Sequence, residues 1–280
     1  MSGVVYLHGE FVPRGDAAVS VDDRGFVFGD GVYEVIRAYD GRWFEMEGHL
    51  ARLARGLAGL RIAAPAEDFV AICDRLLAEN GLTLGHAMAY VQVTRGAAPR
   101  THVFPPPGTP PTVYASVAPF QPRAELARDG TDAVVLPDIR WSRCDLKTIN
   151  LLPNVLAKQA AADAGATEAI LLRDGAVTEG SHTNVMAVVD GELRTAPRTH
   201  YILAGITRDI LLRVASELGI PVSETPILAG ELPRASEIFL CGTTTDVTPV
   251  VRLDGRTVGD GRPGPVARAL YDRLVARIEG

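Results

Sequence analysis

Four of the chain's seven Asp-Gly pairs, at Asp40-Gly41, Asp174-Gly175, Asp190-Gly191 and Asp254-Gly255, constrain the fold of this 280-residue chain more than any other feature. Each lies beside residues that suit strands, such as Val32-Tyr33-Glu34-Val35-Ile36 or Ala187-Val188-Val189. A two-residue turn with positive φ at both positions follows the twist of its flanking strands, and Asp followed by Gly tolerates that geometry. Each pair therefore predicts a hairpin, and much of the sheet is expected to be antiparallel. Helical spacing appears between these strands. Leu50, Leu53, Leu57 and Leu60 recur on one face with Arg52, Arg55 and Arg61 among them, and Phe69 to Leu77 repeats the pattern before an Asn80-Gly81 stop. An alanine-rich helix is expected from Asn154 to Ala164, ended by Gly165, another from Thr207 to Leu218 capped by Thr207, and a last from Pro265 to Ile278. The fold class is α+β. The proline-bearing run Ala118-Pro119-Phe120-Gln121-Pro122-Arg123 reads as a linker, which predicts a smaller N-terminal α/β domain over 1–118, a linker at 119–123 and a larger C-terminal domain over 124–280.

Composition narrows the function classes. The net charge of −6, with both signs interspersed, argues against a nucleic-acid or anionic-membrane partner. Any local positive patch is left to serve small anions. Cys73, Cys144 and Cys241 are far apart and lack zinc-site spacing, so they are expected to be buried, reduced thiols, and no metal is expected. The N-terminal stretch Met1 to Glu10 has no basic and apolar leader pattern, and no apolar run reaches membrane-spanning length, which places the protein in the cytoplasm as an expectation.

Chemistry concentrates at Lys147. Only two of the chain's 28 basic residues are lysines, Lys147 and Lys158, and arginine supplies the rest. A surface that needs only charge can use arginine, but an amine that must react with a carbonyl cannot be a guanidinium, which keeps its proton. Thr178-Glu179-Gly180 follows about thirty residues later and adds a carboxylate. If Lys147 holds pyridoxal phosphate, the cofactor needs a partner for its ring nitrogen and an anion site for its phosphate. Glu179 suits the first need; taken alone it reads equally as a turn carboxylate. Gly205-Ile206-Thr207 opens a helix whose free N–H groups suit an anion, Gly242-Thr243-Thr244-Thr245 offers further donors, and Arg52 offers a charged fork. Each of these also has an ordinary structural reading.

The chain resembles the fold-type IV pyridoxal-phosphate aminotransferases, and within them the D-amino-acid-specific branch. The resemblance runs through Asp23 to Val35, Gln92-Val93-Thr94-Arg95-Gly96, Asp138 to Lys147, Leu156-Ala157-Lys158-Gln159, Val177 to Ser181, Gly205 to Asp209 and Thr243 to Val250. It implies that Lys147 is the Schiff-base lysine and proton shuttle and that Glu179 partners the pyridine nitrogen. Leu203 would be the wall under the ring, and Arg52, Ile206, Thr207 and Thr243 the phosphate cup, in a cofactor-binding C-terminal domain. It further implies that Tyr33, Arg100 and His102 trap the substrate carboxylate. The implied reaction moves an amino group between a D-amino acid, such as D-alanine or D-glutamate, and a 2-oxo acid. The implied assembly is a homodimer in which the Arg100/His102 loop of one chain reaches the site holding the other chain's Lys147. Rival readings are a branched-chain L-amino acid or (R)-amine transaminase, aminodeoxychorismate lyase, and a non-catalytic cofactor carrier. Two residues depart from the family pattern: His182 stands where a small serine is usual, and Gly242 replaces a serine before Thr243. The other histidines, His8, His49, His86 and His200, are expected to be surface or packing residues.

Overall fold

In the computed structural model, which describes residues 3–280 and so leaves Met1 and Ser2 of the N-terminal stretch outside, the four Asp-Gly pairs singled out above are two-residue hairpin turns. Both turn residues have positive φ in each case, 47° and 75° at Asp40-Gly41 and 52° and 82° at Asp190-Gly191 among them. His8-Gly9 makes a further turn of this kind, with φ of 52° and 87°, that the Asp-Gly signal does not reach. The chain divides into two units. The first runs to Gln121 and takes back Leu146–Asn150; the second holds Pro122–Asp145 and Leu151–Gly280.

The first unit contains β1 (Val4–Leu7), β2 (Glu10–Pro13), α1 (Arg24–Phe28), β3 (Gly31–Tyr39), β4 (Arg42–Trp43), α2 (Met46–Leu60), α3 (Phe69–Glu79), β5 (His86–Thr94) and β6 (Thr112–Pro119). Its strands form one antiparallel sheet in the order β2-β1-β6-β5-β3-β4. Alternation along β3 buries Val32, Glu34, Ile36 and Ala38, and the core adds Leu53 and Leu57 of α2 with Ile72, Leu76 and Leu77 of α3. Each such aliphatic side chain contributes on the order of 1.5–3 kcal/mol. Gly56 lets α2 approach the sheet, since a Cβ there would lie 3.0 Å from Val32 Cγ1.

Leu146–Asn150 departs from the linear division into an N-terminal and a C-terminal domain. Short β4 pairs only with Ala38 and Tyr39, so the start of β3 has an open edge. Tyr33 N–H donates to the Lys147 carbonyl at 3.0 Å, Ile149 N–H donates to the Gly31 carbonyl at 3.1 Å, and Val32 bridges Thr148. Satisfying those edge groups ties the lysine segment to the first unit.

The second unit contains α4 (Ala124–Asp129), β7 (Thr131–Pro137), α5 (Leu152–Asp163), β8 (Glu168–Arg173), β9 (Ala176–Gly180), β10 (Asn184–Val189), β11 (Glu192–Thr195), α6 (Ile206–Glu217), β12 (Val222–Ser223), a 3₁₀ turn at Ala229–Arg234, β13 (Glu237–Gly242), β14 (Asp246–Leu253), β15 (Arg256–Thr257) and α7 (Pro265–Glu279). Its sheet is mixed. The path runs β12-β11-β10-β13-β14-β7-β8-β9 with β15 on β14, and the β11–β12, β14–β7 and β7–β8 pairs are parallel. Parallel neighbours need a crossover, and α5 supplies it between β7 and β8, packing Ala157 and Ala161 onto Ala169 and Leu171. It begins at Leu152, ahead of the expected Asn154, because Pro153 is suited to a first helical turn. The cap of α6 also differs from expectation: Gly205 is the N-cap, without a side-chain hydrogen bond, and Thr207 is buried in the first turn. The hydroxyl in the sequence Gly-Ile-Thr comes two positions after the observed cap.

Candidate active site

The candidate residues divide between the units. In the first, Lys147 is half-buried, and its Nζ lies 4.1 Å from the centroid of the Tyr33 ring, a cation–π contact. Tyr33 stacks on Tyr90 with ring centroids 5.6 Å apart, and Tyr90 continues the aromatic row to Tyr114 at 6.2 Å. Lys147 and Tyr33 are thus brought together by the backbone pairing at the open end of β3.

Arg52 is placed differently from a simple anion fork. Its Nε donates to Glu34 Oε1 at 2.7 Å and its Nη2 to Oε2 at 2.8 Å, while His49 Nδ1 lies 2.8 Å from the same Oε2. His49 is therefore no idle packing residue; it is buried in contact with a buried carboxylate. Burial opposes the charge of Glu34, but the Arg52 hydrogen bond and charge, the His49 contact and the charge of Lys147 bring its carboxyl down to about 2. The sequence carried a signal for Glu34, because it falls on the buried phase of Val32-x-Glu34-x-Ile36.

Arg100 and His102 are exposed, and they meet at one ring. The Arg100 guanidinium carbon lies 5.2 Å from the Phe28 centroid, and the His102 ring centroid lies 5.7 Å from it. Sequence reading did not single out Phe28.

In the second unit, Glu179 is buried at the end of β9. Its Oε1 accepts from the Leu203 N–H at 2.8 Å and from Asn184 Nδ2 at 2.9 Å, and its Oε2 accepts from Arg140 Nη1 at 2.5 Å. Burial pushes the Glu179 carboxyl above its ordinary value, opposed by Arg140 and the Leu203 amide and reinforced by Asp138. Three donors leave about one of a carboxylate's four acceptor sites for a further N–H. Leu203 therefore touches Glu179 through its backbone, and Ile206 and Thr207 follow at the start of α6. That helix has twelve residues and no side-chain cap, so its leading N–H groups and positive end suit a phosphate. Thr243 lies in the Thr243–Thr245 turn that joins β13 to β14, where Thr245 N–H donates to the Gly242 carbonyl at 3.1 Å. A Cβ on Gly242 would meet nothing closer than 3.9 Å, so backbone packing does not require glycine there.

His182 is half-exposed. Its Nδ1 lies 2.9 Å from Glu168 Oε2 and 3.1 Å from Ser181 Oγ, and Ser181 Oγ also donates to Glu168 Oε1. Burial opposes the charge of Glu168, and His182 with Ser181 brings it down to about 2. The three cysteines are buried, and burial pushes Cys73 and Cys241 up to about 12 and Cys144 up to about 11. Among the described residues no cluster of His, Cys, Asp and Glu could hold a metal ion, and no helix is long and apolar enough to cross a membrane.

The family described as amino-transferase class IV matches residues 31–253, which span all the candidate residues. The chain belongs to amino-transferase class IV. This class IV chain is 41% identical over 277 residues to the D-alanine aminotransferase of Staphylococcus haemolyticus, covering 98% of each. Its fold is similar to the crystal structure of Escherichia coli branched-chain amino acid aminotransferase, with a TM-score of 0.88 at 30% identity over 99% of this chain and 94% of that one. A branched-chain amino acid aminotransferase of T.th., complexed with N-(5'-phosphopyridoxyl)-L-glutamate, gives a TM-score of 0.86 at 29% identity over 99% and 94%. The class IV chain is a pyridoxal-phosphate-dependent aminotransferase of the fold-type IV, α+β architecture.

Proposed function

We propose that this enzyme transfers the amino group of a D-amino acid, such as D-alanine or D-glutamate, to a 2-oxo acid, and that it works as a cytoplasmic homodimer. The observation that carries the substrate reading is the gathering of Arg100 and His102 on the Phe28 ring. A guanidinium beside an imidazole is a strong receptor for a carboxylate. The likeness to a D-alanine aminotransferase supports it, whereas the shared fold with branched-chain enzymes does not by itself select a substrate.

Pyridoxal phosphate supplies an electron sink that lets the Cα–H bond of an amino acid ionise. Lys147, Glu179, Leu203, Arg52, Ile206, Thr207 and Thr243 would hold it. The fit rests on the uncapped start of α6 for the phosphate and on the remaining acceptor site of Glu179 for the ring nitrogen. Lys147 Nζ takes the proton from Cα and returns it, and it does so from one fixed side. Arg100, His102 and Tyr33 orient the carboxylate, and interchanging carboxylate and side-chain positions inverts the enantiomer that presents its Cα–H to that amine.

The deciding experiment compares wild type and Arg100→Ala on D-alanine, L-leucine and (R)-1-phenylethylamine. D-alanine should be the preferred donor, and the variant should lose about thirty- to a thousandfold in kcat/KM for it, from a lost charge-assisted fork of about 2–4 kcal/mol. The amine without a carboxylate should be affected far less. Preference of the wild type for L-leucine sinks the reading. For the assembly, Lys147→Ala and Arg100→Ala chains refolded one to one should recover about a quarter of wild-type activity if each site borrows its loop from the partner chain, and nothing if it does not.

A further inference from the structure

We infer that Asp30 is a positioning residue for the substrate carboxylate, acting through a buried arginine clamp that fixes the Arg100–Phe104 loop. The inference rests on the carboxylate reading above. The loop itself is exposed and belongs to no strand or helix, so its own backbone does little to hold Arg100 and His102 in place. What holds it comes from beneath. Asp30 sits between two arginines, both buried: Arg24 Nε donates to Oδ2 at 2.9 Å, and Arg95 donates through Nε to Oδ2 at 2.7 Å and through Nη2 to Oδ1 at 2.9 Å.

Each arginine then reaches the loop by a different route. Arg24 Nη1 donates at 2.7 Å to the carbonyl of Thr101, the residue between Arg100 and His102, and at 3.5 Å to that of Val103. Its guanidinium carbon also lies 4.7 Å from the Phe28 centroid, on the ring that Arg100 and His102 share. Arg95 lies 3.8 Å from the Phe104 centroid, and its remaining donors tie that contact to the end of α2, through the Leu60 carbonyl at 2.7 Å and the Arg61 carbonyl at 2.9 Å. Arg61 adds a second cation to Phe104 at 5.1 Å.

Asp30 is the anion that these two guanidiniums share. Burial opposes its charge, but the hydrogen bonds of Arg95 and Arg24 hold its carboxyl below the usual range, so it stays ionised and keeps both forks aimed. Without that charge the two buried guanidiniums repel, and the carbonyl between Arg100 and His102 loses its fixed donor. A displacement of about 1 Å at a substrate-orienting group can cost about a hundredfold in kcat/KM.

The test uses the cofactor-loaded enzyme and three variants, Asp30→Asn, Asp30→Glu and Arg24→Gln, with amide hydrogen exchange and steady-state kinetics. Asp30→Asn and Arg24→Gln should speed exchange across residues 100–104 while β5 and α2 keep their protection. Both should raise KM for D-alanine about ten- to a hundredfold with kcat within about threefold. Asp30→Glu should recover part of the KM, and rates with an amine that lacks a carboxylate should stay near wild type. Unchanged loop exchange and unchanged KM in Asp30→Asn overturn the inference. Faster exchange throughout the first unit, with kcat falling for every donor, makes the cluster structural only and also overturns it; Arg24→Gln, which leaves the Asp30–Arg95 pair intact, guards against a misfolded Asp30 variant. If Arg100→Ala leaves D-alanine KM untouched, the carboxylate reading fails on its own, and a loop that still loosens in Asp30→Asn then shows a clamp without a substrate role.

Discussion

Glu34 on β3 and Glu179 on β9 are both buried carboxylates with a guanidinium within hydrogen-bond distance, and their surroundings move their acidity in opposite directions. Glu34 receives both N–H arms of the Arg52 fork, has His49 at 2.8 Å, and feels the charge of Lys147. Glu179 receives one arm of Arg140, whose Nε and Nη2 donate to Asp138 at 2.9 Å, Nη2 also reaching Thr178 Oγ1 and the Tyr201 carbonyl at 3.3 Å; the two further partners of Glu179 are neutral, the Leu203 amide and the Asn184 side chain. Asp138 then adds a like charge behind the shared arginine. Burial beside an arginine therefore does not fix what a carboxylate does. A guanidinium that gives a carboxylate two N–H arms makes a permanent anion that locks structure; one that gives it a single arm leaves a group whose proton affinity can respond to a ring nitrogen.

The largest expected effect comes from breaking the locked member. Glu34→Gln leaves the buried Arg52 guanidinium without its anion and should cost about 3–5 kcal/mol of stability, read as a lower urea midpoint. Acid gives a second view of the same pair. The carboxyl of Glu34 is lowered from its ordinary 4.5 to about 2, so its contribution is fully present above about pH 4.5 and is lost as pH falls through about 2. The wild-type advantage over Glu34→Gln should shrink by about 3 kcal/mol across that window. A difference that does not change with pH would show that shape, and not charge, is what Glu34 supplies.

Breaking the responsive member should look different. Glu179→Gln leaves Arg140 with two hydrogen bonds to Asp138, so the urea midpoint should move less than in Glu34→Gln. The proton-transfer step should slow by about ten- to a hundredfold, since a neutral amide no longer favours a protonated ring nitrogen and each unit of lost proton affinity is about 1.4 kcal/mol. Single-turnover rates with D-alanine measure it. A large loss of stability with normal chemistry would reverse the assignment of the two carboxylates.

The comparison also marks what the sequence could show. Hairpins were legible because a two-residue turn is a local event: positive φ at Asp174 and Gly175 is a property of two neighbours. Lys147 and Glu179 stood out because their residue types are rare or chemically specific. The parallel pairing of β7 with β8 was not legible, since it depends on a helix crossing back over the sheet, and neither was the attachment of Leu146–Asn150 to the start of β3, which depends on how little of that edge β4 covers. Arg140 lay within a recognised motif, yet nothing in the spacing of Asp138, Arg140 and Glu179 says that one guanidinium serves both acids. Partners of buried charges are set by tertiary packing, and they are what separates Glu34 from Glu179.

The finest test adjusts the division of Arg140 without touching Glu179. Asp138 is itself held below the ordinary carboxylate range; burial opposes its charge, and Arg140 with Thr178 more than offsets it. Asp138→Asn keeps the side-chain shape and an acceptor for Thr178, which donates to it at 2.8 Å, but removes the negative charge that competes for Arg140 and repels Glu179. The proton affinity of Glu179 should then fall. If catalysis needs Glu179 ionised, activity disappears as pH drops through its folded value, so the acid limb of kcat against pH should move to lower pH in Asp138→Asn, by less than about one unit. The same limb should move upward if Asp138 serves chiefly to aim Arg140, because a misdirected guanidinium would leave burial of Glu179 opposed only by its neutral donors, the Leu203 amide and Asn184. A profile that superimposes on wild type would mean that Arg140 is not divided in any energetically meaningful sense, and the contrast with Arg52 would then rest on His49 and Lys147.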